Sequence, residues 1–187
     1  MRHPIALLLL ATALLTPWRS ADATPGEVRV GEVLREATMQ GLNGPSRGLS
    51  SYRGKPLIIN VWASWCGPCR AEMASLEGLA WSGAAQPFTL IGISTDDHPA
   101  AARAWLQRSN ATVNHYIDRA LELENMLGAS QLPLTLLVDA QGRVLAKVYG
   151  ARDWNSPASV AAVTRAFRSA ASQANGGAPL RSASAPP

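Results

Sequence analysis

Trp65-Cys66-Gly67-Pro68-Cys69 carries the only two cysteines of this 187-residue chain. An apolar run, Leu57 to Val61, interrupted once by Asn60, leads into it. A helical pattern from Arg70 to Leu79 leads out. A strand that passes straight into a helix, with two thiols at the junction, narrows the possible folds more than any other feature here. At the first turn of a helix, residues i and i+3 lie on the same side, so Cys66 and Cys69 can close a small disulfide ring.

The same junction points to redox chemistry. A helix N-terminus presents unpaired N–H groups and a partial positive charge, and both favour a thiolate. Cys66, at the very start, is expected to be the more exposed thiol and the nucleophile. Cys69, one turn further in, is expected to resolve the mixed disulfide. A free thiol titrates near ~8.5, and cysteines in such motifs fall to about 3.5–7.5. Lowering it by about 1.5 pH units takes about 2 kcal/mol. A helix terminus supplies only ~0.3–1 kcal/mol, so hydrogen bonds to the sulfur have to add the rest. Pro68 suits the first helical turn, where its missing N–H costs little. Gly67 leaves the approach to Cys66 open.

Other uses of two cysteines fit less well. A purely structural disulfide over so short a loop removes little unfolded-state entropy. A zinc site wants four ligands, and His3, His98 and His115 are scattered. A Cu(I) carrier would use both thiolates as soft ligands and would want a further Met or His. Met73 is nearest, but it falls on a core stripe. Peroxide reduction would need a second, peroxidatic cysteine setting, which the chain lacks. No metal and no dissociable cofactor is expected.

The segment Asn60 to Arg70 resembles the active-site segment of thioredoxins. Arg53-Gly54-Lys55-Pro56 before it and Glu72 after it make it more similar to the exported thioredoxin-like proteins of the TlpA/ResA/CcmG type. The resemblance runs from about Gly41 to about Phe167. It implies an α/β thioredoxin-like fold: a central mixed β-sheet, helices on both faces and a small N-terminal β extension. It implies that Glu72 sits near the active site and tunes thiol reactivity, against the plainer reading of a solvated helix acid. It implies that Pro133 is the cis proline facing the cysteine pair, with Leu132 and Trp65 beside the substrate. Three positions depart from the pattern. Asn60 stands where thioredoxins often carry a buried acid, and an amide cannot act as a general base. Ala74 stands where a helix-kinking proline is common, and Leu134 where a threonine often follows the cis proline. The resemblance also implies the partners: client proteins with disulfides or thiols, in cytochrome c or copper-centre maturation, and a membrane-bound electron donor. Oxidase or isomerase activity stays open, because a Gly-Pro dipeptide does not settle the redox poise.

The rest of the chain fits one domain. Residues 1–23 read as a signal peptide: Arg2, an apolar stretch from Ile5 to Leu15, then Ala21-Asp22-Ala23 as a cleavage site. The stretch is short of the ~20 residues of a bilayer span, with an uncleaved anchor as the alternative. No cysteine lies near the cut, which excludes a lipoprotein. Export to the periplasm follows from this reading. Residues 24–174 are assigned to the thioredoxin-like domain and 175–187, rich in Ala, Ser, Pro and Gly, to a disordered tail. Val28 and Val30 alternate with charged residues like a weak strand. Strands are expected at Phe88–Ser94, Val113–Ile117, Thr135–Asp139 and Val144–Tyr149. Helices are expected at Ala100–Ser109, at Leu121–Leu127 closed by Gly128, and from Ser156-Pro157 to about Ser172. Asp96, Asp97 and His98 read as a helix-start loop rather than metal ligands. His115 reads as a satisfied or surface side chain. Net charge is +4 and no basic cluster carries interleaved aromatics, so nucleic acid is not an expected partner; a monomer is expected.

Overall fold

The computed structural model describes residues 26–82 and 88–176; the proposed leader and residues 177–187 of the proposed tail lie outside them. The described strands are β1 (Thr38–Gly41), β2 (Arg47–Gly48), β3 (Leu57–Trp62), β4 (Thr89–Ser94), β5 (Asn114–Ile117), β6 (Leu134–Val138) and β7 (Val144–Tyr149). They form one sheet in the order β2-β1-β5-β4-β3-β6-β7. Strands β3, β4 and β5 run parallel, while β1, β6 and β7 pair antiparallel with their neighbours. The parallel pairs require crossovers, which are helices α1 (Gly67–Trp81) and α2 (Pro99–Arg108). Helix α3 (Glu122–Leu127) follows β5, and α4 (Pro157–Gly176) follows β7.

The near-continuous apolar run of β3 is explained by its place. It lies inside the sheet between β4 and β6, and all six residues are buried. Successive side chains point to opposite faces. Leu57, Ile59 and Val61 join a core with Leu123, Met126 and Leu127 of α3 and with Val28, Leu34 and Met39. Ile58 and Trp62 join the other core, with Met73, Leu76 and Leu79 of α1, Leu106 of α2, and Val163 and Phe167 of α4. Helices thus cover both faces. Asn60 alternates onto the α1 side.

The N-terminal β extension is present as β1 and β2, with β1 also joining β5 at the margin of the main sheet. The weak strand at Val28 and Val30 is not formed. Val28 is buried with its N–H on the Met126 carbonyl, whereas Val30 is exposed. The segment then runs alongside the start of β7: Gly31 donates to the Val144 carbonyl, Val144 to that of Glu32, and Leu34 to that of Gly142. Its valine spacing reflects one apolar anchor and a strap over an open sheet edge, which otherwise invites pairing with other chains. Helix α4 continues past Ser172 to Gly176, taking in the first two residues assigned to the tail; the alanines at 170, 171 and 174 favour this. The Asp139–Gly142 turn joins β6 to β7 as expected. Asp139 Oδ1 accepts from the N–H groups of Gln141 and Arg143, and Gly142 has φ +85°.

Candidate active site

The site begins where β3 ends. Trp62 and Ser94 pair across the parallel β3–β4 ladder, so Ser64 and Asp96 emerge level with one another two residues later. Asp96 is buried and closes that gap. Its carboxylate accepts from Ser64 N (2.8 Å), Ser64 Oγ (2.6 Å) and Ser94 Oγ (2.7 Å). Of the helix-start loop, only His98 occupies the N-cap position of α2, with Pro99 following and no side-chain cap bond. Asp96 is instead a staple on the loop that carries Trp65.

Cys66 is the N-cap of α1, with extended backbone (φ −78°, ψ 104°). Its sulfur accepts from the Cys69 N–H at 3.2 Å, the kind of hydrogen bond that a helix terminus alone leaves wanting. Pro68 falls in the first turn. Cys66 and Cys69 are joined as a disulfide, with Cα atoms 5.3 Å apart. Cys66 keeps 6% of its surface and Cys69 none, so any partner meets Cys66 first. A Cβ on Gly67 would touch nothing within 4 Å. The fold itself therefore does not require a bare position there.

Trp65, Cys66, Gly67, Pro68 and Leu132 line one open cleft of about 670 Å³. The Leu132–Pro133 peptide bond is cis. Pro133 itself is buried, and its carbonyl accepts from Gly150 N at 2.9 Å. Two carboxyls, Asp97 and Glu124, also line the cleft. Burial pushes the Glu124 carboxyl up, against a lowering hydrogen bond from Thr95.

Glu72 is not in that cleft. It faces the sheet, 2% exposed, and the reading of a solvated helix acid is displaced. Its Oε1 accepts from Asn60 Nδ2 at 2.8 Å; its Oε2 accepts from Arg152 N and from Trp154 Nε1, both at 3.0 Å. Burial pushes its carboxyl above the usual range, with the three hydrogen bonds opposing. Asn60 also donates to Thr135 Oγ1 at 3.0 Å, while its own Oδ1 has no partner. The direct hydrogen bond between Asn60 and Glu72, and the parts played by Trp154 and Thr135, are not expected from the sequence.

His115 is neither on the surface nor fully satisfied. It is 1% exposed, its Nδ1 accepts from Trp62 Nε1 at 3.1 Å, and its Nε2 has no partner. Burial lowers its pKa to about 4. Met73 is buried in the core under α1. Among the described residues no group of three or more His, Cys, Asp and Glu side chains is placed to hold a metal ion. No helix among them is long and apolar enough to cross a membrane.

Known proteins resemble this chain in sequence and in fold. The model of the AhpC/TSA family matches residues 30–157. The thiol-disulfide oxidoreductase ResA of Geobacillus thermodenitrificans is 30% identical over 144 residues, covering 77% of this chain and 83% of that protein. The thiol:disulfide interchange protein DsbE of Vibrio cholerae is 33% identical over 164 residues, covering 80% and 85%. In fold, a DsbF homologue from Corynebacterium diphtheriae matches with a TM-score of 0.62 at 24% identity, over 72% of this chain and 86% of that one. With a mixed sheet that delivers a cysteine pair to the mouth of α1, and relatives of this kind along most of its length, the chain belongs to the AhpC/TSA family and is a thioredoxin-fold thiol–disulfide oxidoreductase of the ResA and DsbE kind.

Proposed function

We propose that the chain is an exported reductant of protein disulfides, working in the periplasm as a monomer. Residues 1–23 direct export, the thioredoxin-like domain that follows does the redox work and a membrane-bound donor supplies the electrons. The clients are proteins in cytochrome c or copper-centre maturation. The observation that carries the reading is the asymmetry of the cysteine pair: Cys66 opens on the cleft and accepts a backbone N–H, while Cys69 is closed off behind it. In the reduced state the Cys66 thiolate attacks a client disulfide. A Cys66–client disulfide forms and the client's other sulfur leaves as thiolate. Cys69 then gives its proton to Glu72, one helical turn away, and attacks the Cys66 sulfur. The Cys66–Cys69 disulfide forms, the second client thiolate leaves, and two electrons have passed to the client. The donor restores the dithiol. Glu72 takes the place of an acid at position 60, and its raised affinity for protons suits it to receive one.

Two experiments test this. Cys69→Ala is expected to leave Cys66 covalently joined to its client, which mass spectrometry of the trapped species identifies; Cys66→Ala is expected to trap nothing. Equal trapping by both variants refutes the assignment of the nucleophile. A reduction potential near the ~−120 mV of a strong oxidant refutes the reductive direction. Stoichiometric Cu(I) binding without reduction of any disulfide would replace the whole reading with that of a metal carrier.

A further inference from the structure

Leu121 breaks two local rules at once. It is the residue before α3, with left-handed backbone (φ 56°, ψ 22°), a conformation that penalises a side chain carrying a Cβ. Among the described residues the other non-glycine with positive φ is Asn110, whose short polar side chain tolerates it. Leu121 also holds an N-cap position, where Ser, Thr, Asp or Asn is favoured, and it makes no side-chain cap bond. Capping falls to Asp118, whose carboxylate accepts from Glu122 N (3.1 Å) and Glu124 N (2.7 Å). The Leu121 backbone is pinned on both sides: its N–H donates to the Asp118 carbonyl (3.3 Å) and its carbonyl accepts from Asn125 N (3.0 Å). Glycine or asparagine would meet every one of these demands with less strain. What leucine adds is an isobutyl group, and the residue is 37% exposed, outside the buried core. It lines the cleft that holds Cys66, together with Trp65 and Leu132.

We propose that Leu121 is a specificity-determining contact for the client. With Trp65 and Leu132 it forms an apolar wall that receives an apolar side chain next to the client's reacting cysteine. The occupant is the extended client segment around its disulfide, because these three side chains line the same cleft as the Cys66 it must reach. The inference rests on Cys66 being the attacking thiol.

Single-turnover reduction tests it. The pre-reduced full chain is mixed with two short peptides, each closed by one disulfide and differing only in Leu or Ser after the first cysteine. The wild type is expected to reduce the leucine peptide about tenfold faster, a difference equivalent to about 1.4 kcal/mol. Leu121→Asn is expected to bring the two rates together while its Tm equals or exceeds that of the wild type. Leu121→Met is expected to keep the preference. Equal rates with the wild type, or an undiminished preference in Leu121→Asn, overturn the proposal. If neither peptide is reduced by the wild type, the proposed reductive direction falls and this inference falls with it.

Discussion

Replacing Glu72 separates what its charge does from what its shape does. Three donors converge on this carboxylate: Asn60 Nδ2, Arg152 N and Trp154 Nε1. Glu72→Leu strands all three. A buried donor left without a partner costs about 1–3 kcal/mol. The low end applies here, since Asn60 keeps Thr135 and the Arg152 N–H is only part-buried. Three losses at about 1 kcal/mol each make about 3 kcal/mol, or a fall in Tm of about 6–12 °C for a domain of this size. Glu72→Gln behaves otherwise. Its oxygen still accepts from Arg152 and Trp154. Its NH2 can donate to Asn60 if that amide turns over, which would give the partnerless Oδ1 a donor. The sign of the charge effect follows from the raised carboxyl. The folded state holds the proton more tightly than the unfolded chain does. Wild-type stability therefore falls as pH rises from about 4.5 through the folded value, and an amide escapes that fall. Thermal unfolding of the three oxidised proteins between pH 4 and pH 8 should show Glu72→Gln gaining on the wild type as pH rises, with Glu72→Leu well below both. If Glu72→Gln loses as much as Glu72→Leu at pH 7, and the gap does not move with pH, the charge is stabilising and the reasoning fails. In the cycle proposed above, the same Glu72→Gln protein lacks the proton acceptor for Cys69. Its mixed disulfide with a client is expected to resolve about 100-fold more slowly, at the low end for loss of a general base.

Two further predictions concern the buried imidazole. A Cβ at Gly92 would lie 2.0 Å from His115 Nδ1 and 3.0 Å from Trp62 Nε1, both fixed in the core. Gly92→Ala is expected to cost about 3 kcal/mol, the upper part of the range for overpacking, and to lower Tm by about 6–12 °C; a change under about 2 °C would show that the imidazole moves aside freely. His115 is held neutral, with a pKa of about 4. The unfolded chain takes up its proton near 6.5, so stability is lost as pH falls from 6.5 towards 4, by about 3 kcal/mol in full. His115→Gln keeps an acceptor for Trp62 and does not titrate. The stability of the wild type relative to this variant should decline over that window, opposite in sign to the Glu72 effect, and a flat difference refutes the assignment.

The parts of this molecule legible from sequence were those written in neighbouring residues. The strand–Cys-x-x-Cys–helix junction depends on local periodicity and two cysteines, and it formed as expected. So did the core stripe Met73, Leu76, Leu79. What escaped depends on register between distant segments. Asp96 meets Ser64 only because β3 and β4 pair Trp62 with Ser94, and the strap at residues 28–34 is held by β7, more than a hundred residues away. Glu72 lies between these cases. Positions 69, 72, 76 and 79 fall on one helical face, so spacing alone places this carboxyl on the buried stripe. Its polar identity pointed the other way. Asn60 poses the mirror problem, an amide inside the apolar run of β3. Either residue alone would be an expensive misfit in a packed interior. Together they are mutual partners, because β3 turns residue 60 towards the helix and α1 turns residue 72 towards the sheet. Two polar interruptions in adjacent apolar elements are therefore evidence for one another. A strand feeding directly into a helix is the setting in which such a pair can be inferred from the order of residues alone.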